Sequence, residues 1–68
     1  MLNHFARNLK KLREIENKSQ QDVADAINVS QRSVSHWESG LVEPGLNKLI
    51  ELSRFFDISI DDLVIGDY

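Results

Sequence analysis

Cysteine is absent from this chain, so neither a disulfide nor a thiolate zinc site braces the fold. The two histidines, His4 and His36, stand far apart with no carboxylates at ligand spacing, so no metal or other cofactor is expected. Three glycines and one proline are too few for a collagen-like or linker-like chain. No window approaches the ~18 consecutive apolar residues of a membrane span. The start, MLNHFARNLKKL, has no apolar stretch followed by a small-residue cleavage site, so a soluble, cytoplasmic protein without membrane contact is expected. Repeats and low-complexity runs are missing as well. What remains is 68 residues, 41% of them apolar, which is too apolar for disorder and sized for a single domain over residues 1–68. A chain this short buries only about 60% of its unfolded surface, and its total stability is on the order of 3 to 10 kcal/mol.

The formal net charge of −3 argues at first against a polyanionic partner. Its distribution argues otherwise. Residues 1–36 carry six basic side chains (Arg7, Lys10, Lys11, Arg13, Lys18, Arg32) against four acids, a balance of +2. Residues 37–68 carry Lys48 and Arg54 against seven acids, a balance of −5. One end of the molecule is thereby turned away from any polyanion, although solvated helix faces would account for either half alone.

Phe5, Leu9, Leu12 and Ile15 recur at helical spacing and predict an amphipathic helix over about 3–15. Asn17 tolerates the left-handed conformation that closes helices, and Ser19 with Asp22 opens the next as an approximate capping box. The second helix starts at Gln20 and places Val23, Ala24 and Ile27 inward. Asn28 again accepts positive φ, and Ser30 is a second N-cap. A third helix over about 31–39 turns Val34 and Trp37 inward and closes at Gly40. Pro44 lies in a connection. Leu46, Leu49, Ile50, Leu52, Phe55 and Phe56 mark a fourth helix over roughly 46–56, and Ser59 with Asp62 caps a fifth carrying Ile60, Leu63 and Val64. The expected fold is all-α, a compact bundle of five short helices.

Helices two and three are joined by only Asn28, Val29 and Ser30. That leaves no length to reverse direction, so they cross steeply, with Ala24 small where they approach. This is helix-turn-helix spacing. Together with Leu12 Arg13 Glu14, Gln20, Val29 Ser30, Trp37 Glu38, Pro44 and Ser59 Ile60 Asp61 Asp62 Leu63, it resembles the Cro/repressor (XRE-like) type of helix-turn-helix protein, over nearly the whole chain. The resemblance implies a lambda-repressor-like DNA-binding domain. This chain departs from the family where Asn28 and Asp57 replace the usual glycine and where Lys18 replaces an apolar residue. It departs again at Leu41, Val42 and Glu43, a connection that in many relatives is basic and touches phosphate.

If the third helix enters the major groove, its outer face offers Gln31, Arg32, Ser35 and His36 to base edges, the positions that read bases in the family. Gln pairs with adenine and Arg with guanine, each for about 1 to 3 kcal/mol of discrimination. Polar residues on an outer helix face are otherwise merely solvated. Gln20, at a helix N-terminus, is a phosphate candidate, as are Ser33, Ser39, Asn47 and Lys48. In relatives Arg13 and Glu38 form a partly buried salt bridge behind the recognition helix, and the resemblance assigns them that structural role here. Trp37 is expected in the core rather than as a platform for bases.

So small a reader covers few base pairs, which implies a homodimer on a palindromic site of double-stranded DNA. Ile58, Ile65 and Tyr68, with Leu41 and Val42, are the expected contact surface. The function expected is a sequence-specific transcriptional regulator acting as a repressor. The alternative is an antitoxin-like or antirepressor-like module whose acidic half binds a protein partner. An enzyme is disfavoured, since neither histidine has positioned carboxylate or serine partners and no glycine-rich phosphate loop is present.

Overall fold

Three serines set helix starts. In the computed structural model, which describes residues 4–68, Ser19, Ser30 and Ser59 are extended, and each side chain accepts the backbone N–H three residues on, from Asp22, Ser33 and Asp62. They open α2 (Gln20–Ala26), α3 (Gln31–Glu38) and α5 (Ile60–Ile65). At α2 the reciprocal bond is also made, with the Ser19 backbone N–H donating to the Asp22 carboxylate at 2.8 Å. That bond, helped by the Ser19 side chain, holds the Asp22 pKa below its ordinary 3.8. A carboxylate depressed on folding stabilises above its ordinary pKa, and the benefit is lost as pH falls through the folded value. Asp22→Asn should therefore be less stable than the parent at neutral pH, with the gap closing in acid. Urea unfolding across a pH series reads it.

Left-handed residues set the helix ends. Asn17, Asn28 and Asp57 have φ of 59°, 57° and 55°, and Gly40 has 78°. After each, the next N–H returns to a carbonyl five residues back: Lys18 to Arg13 at 2.9 Å, Val29 to Ala24, Leu41 to His36 and Ile58 to Ser53 at 3.0 Å. These are Schellman closures. They terminate α1 (Phe5–Ile15), α2, α3 and α4 (Leu46–Phe55), so two asparagines and an aspartate take the left-handed conformation that glycine usually supplies at a helix end.

The helices differ from expectation by a residue or two at their ends. α1 begins at Phe5, with His4 as its N-cap and the His4 backbone N–H donating to the Val64 carbonyl 2.9 Å away; residue 3 lies outside the described residues. Two apolar residues expected on inner faces are outside the core, Ile15 at 65% and Leu46 at 66% exposed. One is the last residue of α1 and the other the first of α4, and a terminal turn projects past the neighbours that cover the rest of its stripe. The core is built from Phe5, Leu9, Leu12, Val23, Ala24, Ile27, Val34, Trp37, Leu49, Leu52, Phe56 and Leu63.

The chain closes on itself through Asn8, a buried polar residue that helical periodicity alone does not single out. Its Nδ2 donates to the carbonyls of Gly66 at 2.9 Å and Leu63 at 3.1 Å, supplying donors that the end of α5 lacks. Arg7 pairs with Asp67 at 3.1 Å alongside. Gly66 permits this return: a Cβ there would stand 2.3 Å from the Asp62 carbonyl oxygen. Its φ of −62° is one that alanine adopts freely, so in open space Gly66→Ala would stabilise by about 0.4 to 1 kcal/mol. The collision reverses the sign, and we expect a loss of about 1 to 2 kcal/mol in thermal unfolding.

Candidate nucleic-acid interface

The turn at Asn28 lets α3 pack Val34 and Trp37 into the core and turn Glu38 toward Arg13, while its other side carries the polar residues. Gln31 and Arg32 are exposed, and Ser35 and His36 are half-buried on the same surface. Arg32 has no ion-pair partner among the described residues. The four expected base readers thus share one side of one helix, with Gln31 and Arg32 the more open to solvent.

Behind that face lies a bonded chain of four side chains. Arg13 donates from Nε to Glu38 Oε2 at 2.7 Å and from Nη2 to Glu38 Oε1 at 3.0 Å, a bidentate pair with side chains only 14% and 6% exposed. The hydrogen bond to Glu38 raises the Arg13 pKa further, against the pull of burial, so the guanidinium is a fixed charge. Its Nη1 also donates to the Lys18 carbonyl at 3.0 Å, anchoring the segment that enters α2. Gln20 Nε2 donates to Glu38 Oε1 at 3.0 Å, and Gln31 Nε2 donates to Gln20 Oε1. The chain therefore runs Arg13, Glu38, Gln20, Gln31. The Gln20 side chain, expected at a phosphate, is engaged within the protein, and its link to Gln31 has no signal in sequence periodicity.

The other phosphate candidates are dispersed. Ser33 Oγ lies 3.0 Å from Ser30 Oγ, and Ser39 Oγ donates to the His36 carbonyl at 3.0 Å. Asn47 is exposed in the first turn of α4. Lys48 Nζ donates to the Ile27 carbonyl at 2.9 Å and pairs with Glu51 at 2.9 Å, so its ammonium sits where the α2 dipole favours a cation. Of the expected contact residues between copies, Ile65 and Tyr68 are exposed, as are Leu41 and Val42, whereas Ile58 is half-buried against the core. Among the described residues no helix is long and apolar enough to cross a membrane.

A family model described as helix-turn-helix matches residues 9–63. The chain is 36% identical over 63 residues to the HTH-type transcriptional activator BcrR of Enterococcus faecalis, covering 93% of this chain and 31% of that protein. Among solved structures, a transcriptional regulator from Listeria innocua superposes with a TM-score of 0.88 at 36% identity, covering 94% of this chain and 60% of the other. The P22 c2 repressor protein, in complex with a synthetic operator, superposes with a TM-score of 0.87 at 27% identity, covering 93% and 96%. This chain thus spans less than two thirds of the first two of these proteins. The proteins it resembles regulate transcription and are not enzymes.

Proposed function

Because this chain belongs to the helix-turn-helix family of DNA-binding transcriptional regulators, of the Cro/repressor type, we propose that it binds a palindromic operator in double-stranded DNA as a homodimer in the cytoplasm and represses by occupying it. The observation that carries this reading is α3, whose apolar side is buried while Gln31 and Arg32 are exposed and Ser35 and His36 are half-buried beside them. A bound operator is also the state in which the similar P22 c2 repressor is described. The Cα trace measures 24 × 23 × 19 Å, whereas successive major grooves on one face of the duplex lie about 34 Å apart. One copy cannot present recognition helices to both, and two copies can. Ile65, Tyr68, Leu41 and Val42 are exposed apolar residues available to join them, and Ile58 is half-buried. Ser33, Ser39, Asn47, Lys48 and the backbone at Gln20 are the phosphate contacts of this reading, positioning the helix without reading sequence.

Selection of bound duplexes from a random pool, followed by Gln31→Ala with Arg32→Ala, tests the proposal. Loss of two bidentate contacts should lower discrimination between the selected and random DNA by at least about 2 kcal/mol, roughly thirtyfold. Thermal stability should fall by no more than about 1.5 kcal/mol, the worth of the Gln31–Gln20 hydrogen bond. An unaltered preference sinks the reading. Failure of the parent protein to bind any duplex in a salt-dependent way would instead favour the protein-interaction module, with the acidic half as its contact.

A further inference from the structure

We propose that Asn8, helped by His4 and Arg7, is a positioning residue for the pairing of two copies. It fixes the direction in which residues 66–68 leave α5, and with it the separation of the paired α3 helices. The inference rests on the reading that this chain acts as a dimer on two half-sites, and deepens it by naming what sets their spacing. Residues 4, 7 and 8 stand a helical turn apart, so the start of α1 turns all three the same way. Each meets the end of α5. The His4 backbone N–H donates to the Val64 carbonyl at 2.9 Å, and His4 Nδ1 lies 3.2 Å from the Gly66 carbonyl oxygen, an atom that only accepts. Arg7 Nη2 donates to Asp67 at 3.1 Å. Asn8 Nδ2 spans the carbonyls of Leu63 and Gly66 at 3.1 and 2.9 Å, with that of Asp62 at 3.4 Å.

The Asn8 amide has no choice of direction. Only acceptors face it from α5, so its NH2 group turns there, and Oδ1 is left buried with no hydrogen-bond partner. An unpaired buried acceptor is destabilising, and an apolar side chain in its place would avoid that penalty. What the arrangement supplies instead is direction. Gly66 leaves the helix extended, at φ −62° and ψ 164°, where a segment without a grip swings freely. Held by its carbonyl, Gly66 in turn places the Tyr68 ring, whose Cε2 lies 3.0 Å from where a Gly66 Cβ would stand. Tyr68 and Ile65 are both exposed. They ride on a clamp built from α1, the helix that also carries Arg13, partner of Glu38 in α3. Contact surface and recognition helix are thereby fixed to one helix. The occupant that suits this end is a second copy, because one copy measures 24 × 23 × 19 Å and cannot reach two major grooves about 34 Å apart.

The test uses the whole 68-residue protein. Sedimentation equilibrium gives the dimer dissociation constant. Affinity is then measured for a duplex with one half-site, and for duplexes whose two half-sites stand at the selected separation or one base pair nearer or farther. One base pair moves a half-site by about 3.4 Å and turns it by roughly 34°. Asn8→Leu keeps an apolar side chain of similar shape in place, ends the orphaned acceptor and frees the two carbonyls. These changes oppose each other in stability, so the variant folds. Its dimer dissociation constant should rise about five- to tenfold, the cost of ordering the freed segment on association. Preference for the selected separation should fall at least about threefold, since looser copies reach neighbouring separations, while affinity for one half-site is unchanged. A residue that merely stabilised the fold would move neither. If Asn8→Leu does not fold, His4→Ala with Arg7→Ala, which leaves the core untouched, decides by the same readouts. A dissociation constant or separation preference that stays unchanged, from a dimeric parent, overturns the clamp and leaves the dimer reading standing. Loss of affinity for one half-site does the same, because the damage then reaches α3. A parent that binds as a monomer with no preferred separation overturns both.

Discussion

Glu38→Ala is expected to remove about 3 to 5 kcal/mol of stability, one of the two largest losses predicted for this protein. Arg13 would be left as an uncompensated charge, with its side chain only 14% exposed, and Gln20 would lose the acceptor at 3.0 Å that holds it. Removing one partner of such a pair costs more than the pair itself contributes, because the remaining ion keeps its desolvation penalty. In a domain of this size 1 kcal/mol shifts Tm by roughly 4 to 8 °C, so the melting transition should fall by at least about 12 °C, followed by far-UV circular dichroism. Replacing both partners, Arg13→Met with Glu38→Leu, should recover much of the loss, since two apolar side chains leave no buried charge. If the double variant is as unstable as Glu38→Ala, the damage lies in packing and the electrostatic account is wrong.

Trp37→Ala should cost about 3 to 5 kcal/mol. The ring is only 5% exposed and belongs to the core with Val34 and Leu12, so truncation opens a cavity under α3. Against a total on the order of 3 to 10 kcal/mol, that is enough to leave part of the population unfolded at 37 °C. Trp37→Phe keeps most of the volume and should cost about half as much. Chemical denaturation of the three proteins measures the series. Were the ring a stacking platform for bases, Trp37→Ala would leave the unfolding midpoint alone and weaken DNA binding only.

These two residues also mark how far the sequence was readable. Trp37 is legible because it stands three positions after Val34, on one helical face, with Gly40 closing the helix behind it. The same local reasoning finds the capping serines and the left-handed Asn17, Asn28 and Asp57, since each acts on backbone groups a few residues away. The steep corner between α2 and α3 follows from a connection too short to reverse the chain. Ile15 and Leu46 stay exposed because a periodic apolar stripe says which way a side chain faces, and not whether a neighbouring helix extends far enough to cover it.

By itself, then, the sequence determined the five helices, their caps and the outward face of α3, because those rest on short-range hydrogen bonds and a period of a few residues. Only the tertiary structure decided that Gln31 is bonded to Gln20, that Gln20 is bonded to Glu38, that Lys48 sits on the end of α2 and that Asn8 clasps the end of α5. Those partners are separated by 11, 18, 21 and up to 58 residues. Whether such side chains meet depends on how the helices cross, and a crossing is the outcome of packing the whole core at once.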